Sequence, residues 1–494
     1  MLLGIDLGTT ALKVAAYDKK TGRLLHGVEK QLAVETDESG RREQSPPKVE
    51  QALVAAVRAV GKALGGLDQV CGVALASQGG STIIVDRENG AALTPMILWN
   101  DGRAFPEFRS LAASKPARYW RTRTLRDEPG MGLARIAWLR NHQPDLIHER
   151  NLYIGAGEFA YHRLTGVWRQ DACNALQIGA YDSRSNTLTD ELAAFAGVNT
   201  DFFAPLRAGH AFHPLSPWAA KRFGLPAGIP VAGPYMDHEA GYLSVAHVSK
   251  RPLQCSLGTA WVGNFCLPQE LQGTSSIQFA IPAPHTAGHL VIQPLLTGNV
   301  TWDWALAQLV DSNAKRALIK QAKIFEAALL PPDGLVALPW LNRPNTLHPE
   351  WLGSASFLGM GPATQRDDLV RAVVAGMCYE LARVFGAVQT SGAIDSVVLS
   401  GGASQGLQFQ QLVSVLFDGL PVYQLEDAAW MGTRGALHAF GAKVSTAKVR
   451  RLRPDRANAD GIARGYAGYL EAFNRLYGHV TAGEAYAVTT GKSQ

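Results

Sequence analysis

The sequence is poor in the features that announce several protein classes. Its five cysteines, Cys71, Cys173, Cys255, Cys266 and Cys378, are odd in number, scattered, and never spaced C-x-x-C. That excludes a disulfide framework and a cysteine zinc site, and suits a reducing compartment. No apolar run approaches the roughly 18 residues of a membrane span. The N-terminus enters a strand-like segment with no basic stretch ahead of an apolar one, so no leader is expected. Charge of one sign is scarce. The net charge is +5 over 494 residues, which is compatible with anionic ligands but is no nucleic-acid footprint. The most basic stretch, Lys448-Val449-Arg450-Arg451-Leu452-Arg453, is short enough to be a solvated face. H-E-x-x-H and EF-hand spacings are missing. Gly491-Lys492-Ser493 ends like a P-loop, but Tyr486 replaces its first glycine. Gly155-Ala156-Gly157-Glu158-Phe159-Ala160 is a single weak match to a dinucleotide fingerprint. The expectation is a cytoplasmic protein with neither nucleic-acid nor membrane partners.

What the chain does have is length and glycine. At 494 residues it exceeds a single hydrophobic core, so two or more domains are expected. Fifty glycines suit an α/β architecture with many tight turns. Residues 2–7, 12–17 and 24–29 read as three strands separated by turns, a β-meander. A helix over 47–64 follows, with Val49, Leu53, Val57, Val60 and Leu64 on one stripe. A strand over 70–76 then ends at Ser77-Gln78-Gly79-Gly80. The second half repeats this order. Leu257-Gly258-Thr259 matches Leu7-Gly8-Thr9. Leu369, Val373, Met377, Leu381, Val384 and Val388 mark a long helix, and a strand over 396–399 ends at Ser400-Gly401-Gly402-Ala403-Ser404. A duplicated α/β protein with a mixed sheet in each half and a cleft between them is the reading. The halves are expected at 1–245 and 246–494, with a last helix over 457–477.

Five segments carry chemistry. Asp6-Leu7-Gly8-Thr9-Thr10 turns sharply between two apolar strands. Its successive N–H groups form a nest for phosphate oxygens, with the Thr9 and Thr10 hydroxyls as further donors and Lys13 nearby to offset charge. Asp6, at a strand end, is placed to hold Mg²⁺ directly or through water. Ser256-Leu257-Gly258-Thr259 offers a second nest from the other half. Asp237 follows Gly233-Pro234-Tyr235-Met236 and opens a helix, where an Asp is either an N-cap or a general base. His238 is either a ligand for substrate or a structural histidine. Gly401, Gly402, Ser404 and Gln405 allow flat contact with a nucleotide. By the same strand-end logic, Gln78, Gly79 and Gly80 fall on an acceptor side.

These segments, in this order and over nearly the whole chain, resemble the FGGY carbohydrate kinases. The carriers are Gly4-Ile5-Asp6-Leu7-Gly8-Thr9-Thr10 with Lys13, Ile97-Leu98-Trp99-Asn100-Asp101-Gly102-Arg103, Asp237, Ser256-Leu257-Gly258-Thr259 and Ser400-Gly401-Gly402-Ala403. The Leu-Trp-Asn-Asp-Gly-Arg segment and Leu164-Thr165-Gly166 look most like the xylulokinase branch. The resemblance implies an actin-like, ribonuclease-H-type fold in each lobe, with ATP and Mg²⁺ in the cleft. It implies phosphoryl transfer to a small sugar, a ketose such as xylulose or a related polyol, and it is compatible with a homodimer. It makes Asp237 the catalytic base and, with Asp6, a metal holder. Thr9, Thr10, Lys13, Gly258, Thr259, Gly298, Asn299, Gly401, Gly402 and Gln405 fall to ATP. Gln78, Gly79, Gly80, Asp101, Arg103 and His238 fall to the sugar.

The chain departs from the family at three places. Gly79-Gly80 stands where Met-His or Arg-Glu follows the glutamine, which implies an altered, enlarged acceptor pocket. His238 replaces the amide residue that usually follows the catalytic Asp. Leu341-Asn342-Arg343-Pro344 replaces a Gly-Glu-Arg-x-Pro stretch. A sugar sensor without turnover and an actin- or chaperone-like ATPase are the competing classes. Retention of both Asp6 and Asp237 speaks against the first, and no polymer or peptide surface marks the second.

Overall fold

The computed structural model describes residues 1–207, 211–258, 260–267, 271–273, 279–295, 297–341, 355–390, 392–477 and 489–490. Thr259, residues 342–344 and the 491–493 segment lie outside them.

Strands β1 (Leu2–Leu7), β2 (Ala11–Tyr17) and β3 (Leu24–Gln31) form the expected antiparallel meander. Helix α1 (Pro46–Leu64) buries Val49, Leu53, Val57 and Val60 against it, and Gly65 ends it in the left-handed region at φ 75°. Strand β4 (Val73–Ser77) pairs parallel with β1. Two helices that shape the site follow, α2 (Met131–His142) and α3 (Ala172–Ile178). Strand β5 (Pro230–Met236) then pairs parallel with β4 and runs into α4 (Asp237–Val245). Leaving aside the short edge strand His213–Pro214, the spatial order is β5-β4-β1-β2-β3.

The second sheet has the same order. Strands β6 (Pro252–Leu257) and β7 (Trp261–Leu267) are antiparallel, and β8 (His289–Pro294) pairs on the far side of β7. Helix α5 (Asn299–Ala305) and the long helix α6 (Arg366–Thr390) lead to β9 (Ser396–Ser400), parallel to β6, and then β10 (Val422–Leu425). The core order is β10-β9-β6-β7-β8. Each half thus carries a 3-2-1-4-5 mixed sheet, and the duplication read from a tripeptide is a duplication of topology. The second meander is not continuous as expected. The edge strand Phe279–Pro282 precedes β8 and pairs on its outer side.

The lobes meet through α4 and the short helix α7 (Met431–Ala436), each following the last core strand of its sheet. A Cβ at Gly435 would lie 1.6 Å from the Ala240 carbonyl oxygen, and one at Gly4 2.2 Å from that of Thr433. Only glycine allows backbones so close. The buried Tyr17 hydroxyl pairs with Thr433 Oγ1 at 2.7 Å, and Arg434 donates to the Gly22 carbonyl at 2.7 Å. The last helix, α8 (Ala459–Tyr477), starts two residues later than expected, behind a 3₁₀ turn over Arg456–Asn458.

Candidate active site

The parallel pairing of β1, β4 and β5 sets Leu7, Ser77 and Met236 at one level. Gly8, Gln78 and Asp237, the residues that follow them, therefore emerge together at one sheet edge. Such carboxyl ends of parallel strands are where open α/β sheets bind ligands.

Asp6 stands opposite Lys13 in the β1–β2 register. Burial first, and then the nearby Asp237 carboxylate, push the Asp6 carboxyl up to about 7, against the pull of Lys13. Lys13 is shared with Glu29, 4.0 Å away across the next strand. The Asp6 carboxylate also packs on Gly432 of α7, where an added Cβ would lie 2.2 Å from Oδ2. Two acids held together, with one partly engaged cation, form a site that a divalent ion relieves.

Asp237 is the first helical residue of α4, and Met236 holds the cap position. Among the described residues, its Oδ1 accepts only the adjacent His238 N–H, at 2.8 Å. The N-cap alternative therefore falls. The capping work is done by Glu239, whose Oε2 accepts the Met236 N–H at 3.1 Å. Burial pushes the Glu239 carboxyl up to about 8, against hydrogen bonds from Met236 N–H and Cys173. It is therefore largely protonated at neutral pH. Glu239→Gln should keep activity within about threefold, whereas Glu239→Ala, losing the cap that sets the start of α4, should cost about 10-fold or more in kcat. Steady-state kinetics of the two variants at pH 7 check this.

The opposite lobe presents Gly258 at the β6–β7 turn. The Asn299 N–H donates to the Gly258 carbonyl at 3.0 Å, and Trp261 Nε1 donates to Asn299 Oδ1 at 3.0 Å. Gly298 precedes α5 in extended conformation. Gly401, at φ 83°, is pressed so close to Leu257 that a Cβ would lie 2.6 Å from its carbonyl carbon, and a Cβ on Gly402 would sit 3.6 Å from Asn299 Nδ2. Gly258, Gly298, Asn299, Gly401 and Gly402 are thus one contiguous surface, with Gln405 exposed at its rim.

The model of the FGGY family of carbohydrate kinases, N-terminal domain, matches residues 1–244, and that of the C-terminal domain matches residues 281–439. The chain belongs to the FGGY family of carbohydrate kinases. It is similar to the xylulose kinase of Escherichia coli (strain K12), 27% identical over 420 residues that cover 84% of each chain. It is also similar to the gluconokinase of Bacillus licheniformis, 25% identical over 434 residues covering 84% of this chain and 83% of that one. The xylulose kinase structure from Rhodospirillum rubrum matches the fold with a TM-score of 0.83 at 19% identity, over 97% of this chain and 99% of that one. The protein is an ATP-dependent sugar phosphotransferase with an actin-like fold in two α/β lobes.

In this FGGY kinase the acceptor wall differs in detail from the sequence expectation. The Thr9 hydroxyl, expected on the phosphate side, is engaged within the protein. It donates to Gln78 Oε1 at 3.0 Å and accepts from Trp99 Nε1 at 3.1 Å, while Gln44 Nε2 donates to the Thr9 carbonyl at 2.7 Å. Thr10 is exposed and keeps its hydroxyl open. Asp101 and Arg103 face each other. Asp101 is buried, with Oδ2 accepting from Arg103 Nη2 at 2.8 Å and from the Arg42 N–H at 2.7 Å, and Arg103 also pairs with Glu43. Their charges neutralise one another and brace the loop that carries Trp99, a residue 54% exposed.

No motif in the sequence marks Arg135. This buried residue of α2 donates to the Gly80, Leu98 and Trp99 carbonyls, the last at 2.7 Å, and so ties the loops carrying Gly80 and Trp99 together. Nor is the space beside the Gly79 and Gly80 α-carbons open. The Gln177 side chain from α3 fills the space, with its Oε1 2.6 Å from where a Gly79 Cβ would be.

Proposed function

We propose that this kinase transfers the γ-phosphoryl group of ATP to a hydroxyl of a neutral ketose such as xylulose, or of a related polyol. The meeting of Asp6 and Asp237 at the ends of β1 and β5 carries the reading. Asp237 holds the acceptor hydroxyl and takes its proton as that oxygen bonds to the γ-phosphorus and the bond to the ADP oxygen breaks. Asp6, with Asp237 through water, would hold Mg²⁺, which supplies charge neutralisation on the phosphates when bound. Thr10, the turn N–H groups of Thr9 and Thr10 and Lys13 bind phosphate from one lobe, and Gly258 and Asn299 from the other, while the Gly8 N–H closes the turn on the Ala11 carbonyl at 3.0 Å. Gly401, Gly402 and Gln405 face the adenosine. The exposed Trp99 indole, Gln78, the Gly79–Gly80 backbone and His238 line the sugar side. Arg103 braces that wall from behind. A cytoplasmic location fits the five free thiols. Among the described residues, no helix is long and apolar enough to cross a membrane.

The neutral acceptor rests on the cations of the acceptor wall. Arg103 is paired with Asp101 and Glu43, and Arg135 is engaged with backbone carbonyls. Neither is available to a sugar carboxylate. In an ADP-release screen, xylulose or another neutral ketose or polyol should exceed gluconate by about 10-fold or more in kcat/KM. Gluconate ranking first would overturn the assignment.

A further inference from the structure

The space left by Gly79 and Gly80 is occupied from another element. A Cβ on Gly79 would lie 2.6 Å from Gln177 Oε1 and 2.9 Å from Nε2, and one on Gly80 would lie 3.0 Å from Oε1. Gly80 is held at φ 70°, a conformation that itself favours glycine. Gln177 sits near the end of α3, whose start is fixed by Asp171 accepting the Asn174 N–H at 2.9 Å. Its Nε2 reaches Met236 Sδ at 2.8 Å, and Met236 immediately precedes Asp237. The carboxamide therefore touches both the acceptor wall and the strand end that presents the base.

The hydrogen-bonding capacity of that carboxamide is largely unused. A thioether is a weak acceptor, and a carboxamide has two donors and a two-lone-pair oxygen. Among the described residues Gln177 Oε1 accepts no hydrogen bond, and the side chain is only half-buried. A half-open polar group in an acceptor cleft discriminates by the partner it finds there. A ligand that satisfies it binds, and one lacking the matching group leaves it unpaired.

We infer that Gln177 is the acceptor-specificity residue of this kinase: standing in for the side chains missing at Gly79 and Gly80, its carboxamide hydrogen-bonds a hydroxyl or carbonyl oxygen of a neutral polyhydroxy acceptor. The inference rests on the kinase reading above and adds to it which side chain reads the sugar.

The test uses the full chain with ATP and a panel of xylulose and its mono-deoxy analogues. Gln177→Leu keeps the bulk and removes the polar atoms. It should lower kcat/KM for xylulose by about 10- to 100-fold while KM for ATP stays within about twofold. The loss should shrink to less than about threefold for the one analogue that lacks the partnered oxygen. A loss equal on every acceptor, or no loss, overturns the assignment. Gly79→Ala should lose activity by crowding the carboxamide, and in Gly79→Ala/Gln177→Ala the second change should mask the first. Additive losses would show that the two residues do not share one space. Gln177→Glu keeps the shape should the leucine variant fold poorly. With a wild-type melting temperature and unaltered acceptor ranking, it too would overturn the assignment. Wild-type protein that releases no ADP in response to any panel sugar overturns the neutral-ketose reading itself. Wild-type turnover with an unchanged ranking in the variants overturns Gln177 alone.

Discussion

Asp237→Asn is expected to lower kcat for sugar phosphorylation by about 10²- to 10⁴-fold, the range for loss of a general base, while KM for ATP changes by less than about threefold. The asymmetry follows from position. Asp237 stands at the β5–α4 junction of one lobe, whereas Gly258, Asn299 and Gly401, proposed to bind the nucleotide, belong to the other. Among the described residues its carboxylate accepts only the neighbouring His238 N–H, so the amide should not unfold α4. The cap of that helix belongs to Glu239. Loss of kcat with an unchanged melting temperature would separate proton acceptance from scaffolding. A parallel rise in KM for ATP would instead assign Asp237 to nucleotide binding.

Asp6→Asn should move stability and activity in opposite directions. Its carboxyl is raised from 3.8 to about 7 by burial and by Asp237. The folded state therefore holds a proton that the unfolded chain has released. Below about pH 4 both states are protonated and the group contributes nothing. Between about pH 4 and 7 wild-type stability falls as pH rises, and above about 7 the cost is complete. Asparagine carries no such cost, so without Mg²⁺ and ATP the variant should melt about 1–3 °C above wild type at pH 8 and at nearly the same temperature at pH 4. It should also lose about 10- to 100-fold in apparent Mg²⁺ affinity during turnover. Functional sites commonly trade stability in this way. Calorimetry at the two pH values, with a Mg²⁺ titration of activity, checks both halves. Equal melting temperatures at pH 8 would remove the like-charge pair from the account.

The sequence revealed the backbone frame of the site better than its side chains. Leu7-Gly8 and Leu257-Gly258 were visible as echoes because each leucine ends the central strand of its sheet and each glycine opens the turn to the next antiparallel strand. Asp237 was visible because glycine and proline mark the strand before it. Its freedom from capping was not visible, since that depends on Glu239, two positions further on, reaching back to Met236. The partners of the Thr9 hydroxyl were not visible because Gln78 and Trp99 are 69 and 90 residues away in the chain. Gly79-Gly80 signalled missing volume, but only tertiary packing shows that Gln177 supplies it. The interrupted second meander has the same origin. Strand β8 finds β7 across an insertion that local periodicity does not register.

The central claim is that Asp237 directs the γ-phosphoryl group of ATP to a neutral sugar hydroxyl rather than to water. Phosphorus NMR of a reaction containing ATP, Mg²⁺ and xylulose tests it most directly, run side by side with wild type and Asp237→Asn. The account predicts one sugar phosphomonoester per ADP from wild type and almost none from the variant over the same interval. ADP accompanied by inorganic phosphate instead of a sugar phosphate, or equal sugar phosphate from both proteins, would contradict it.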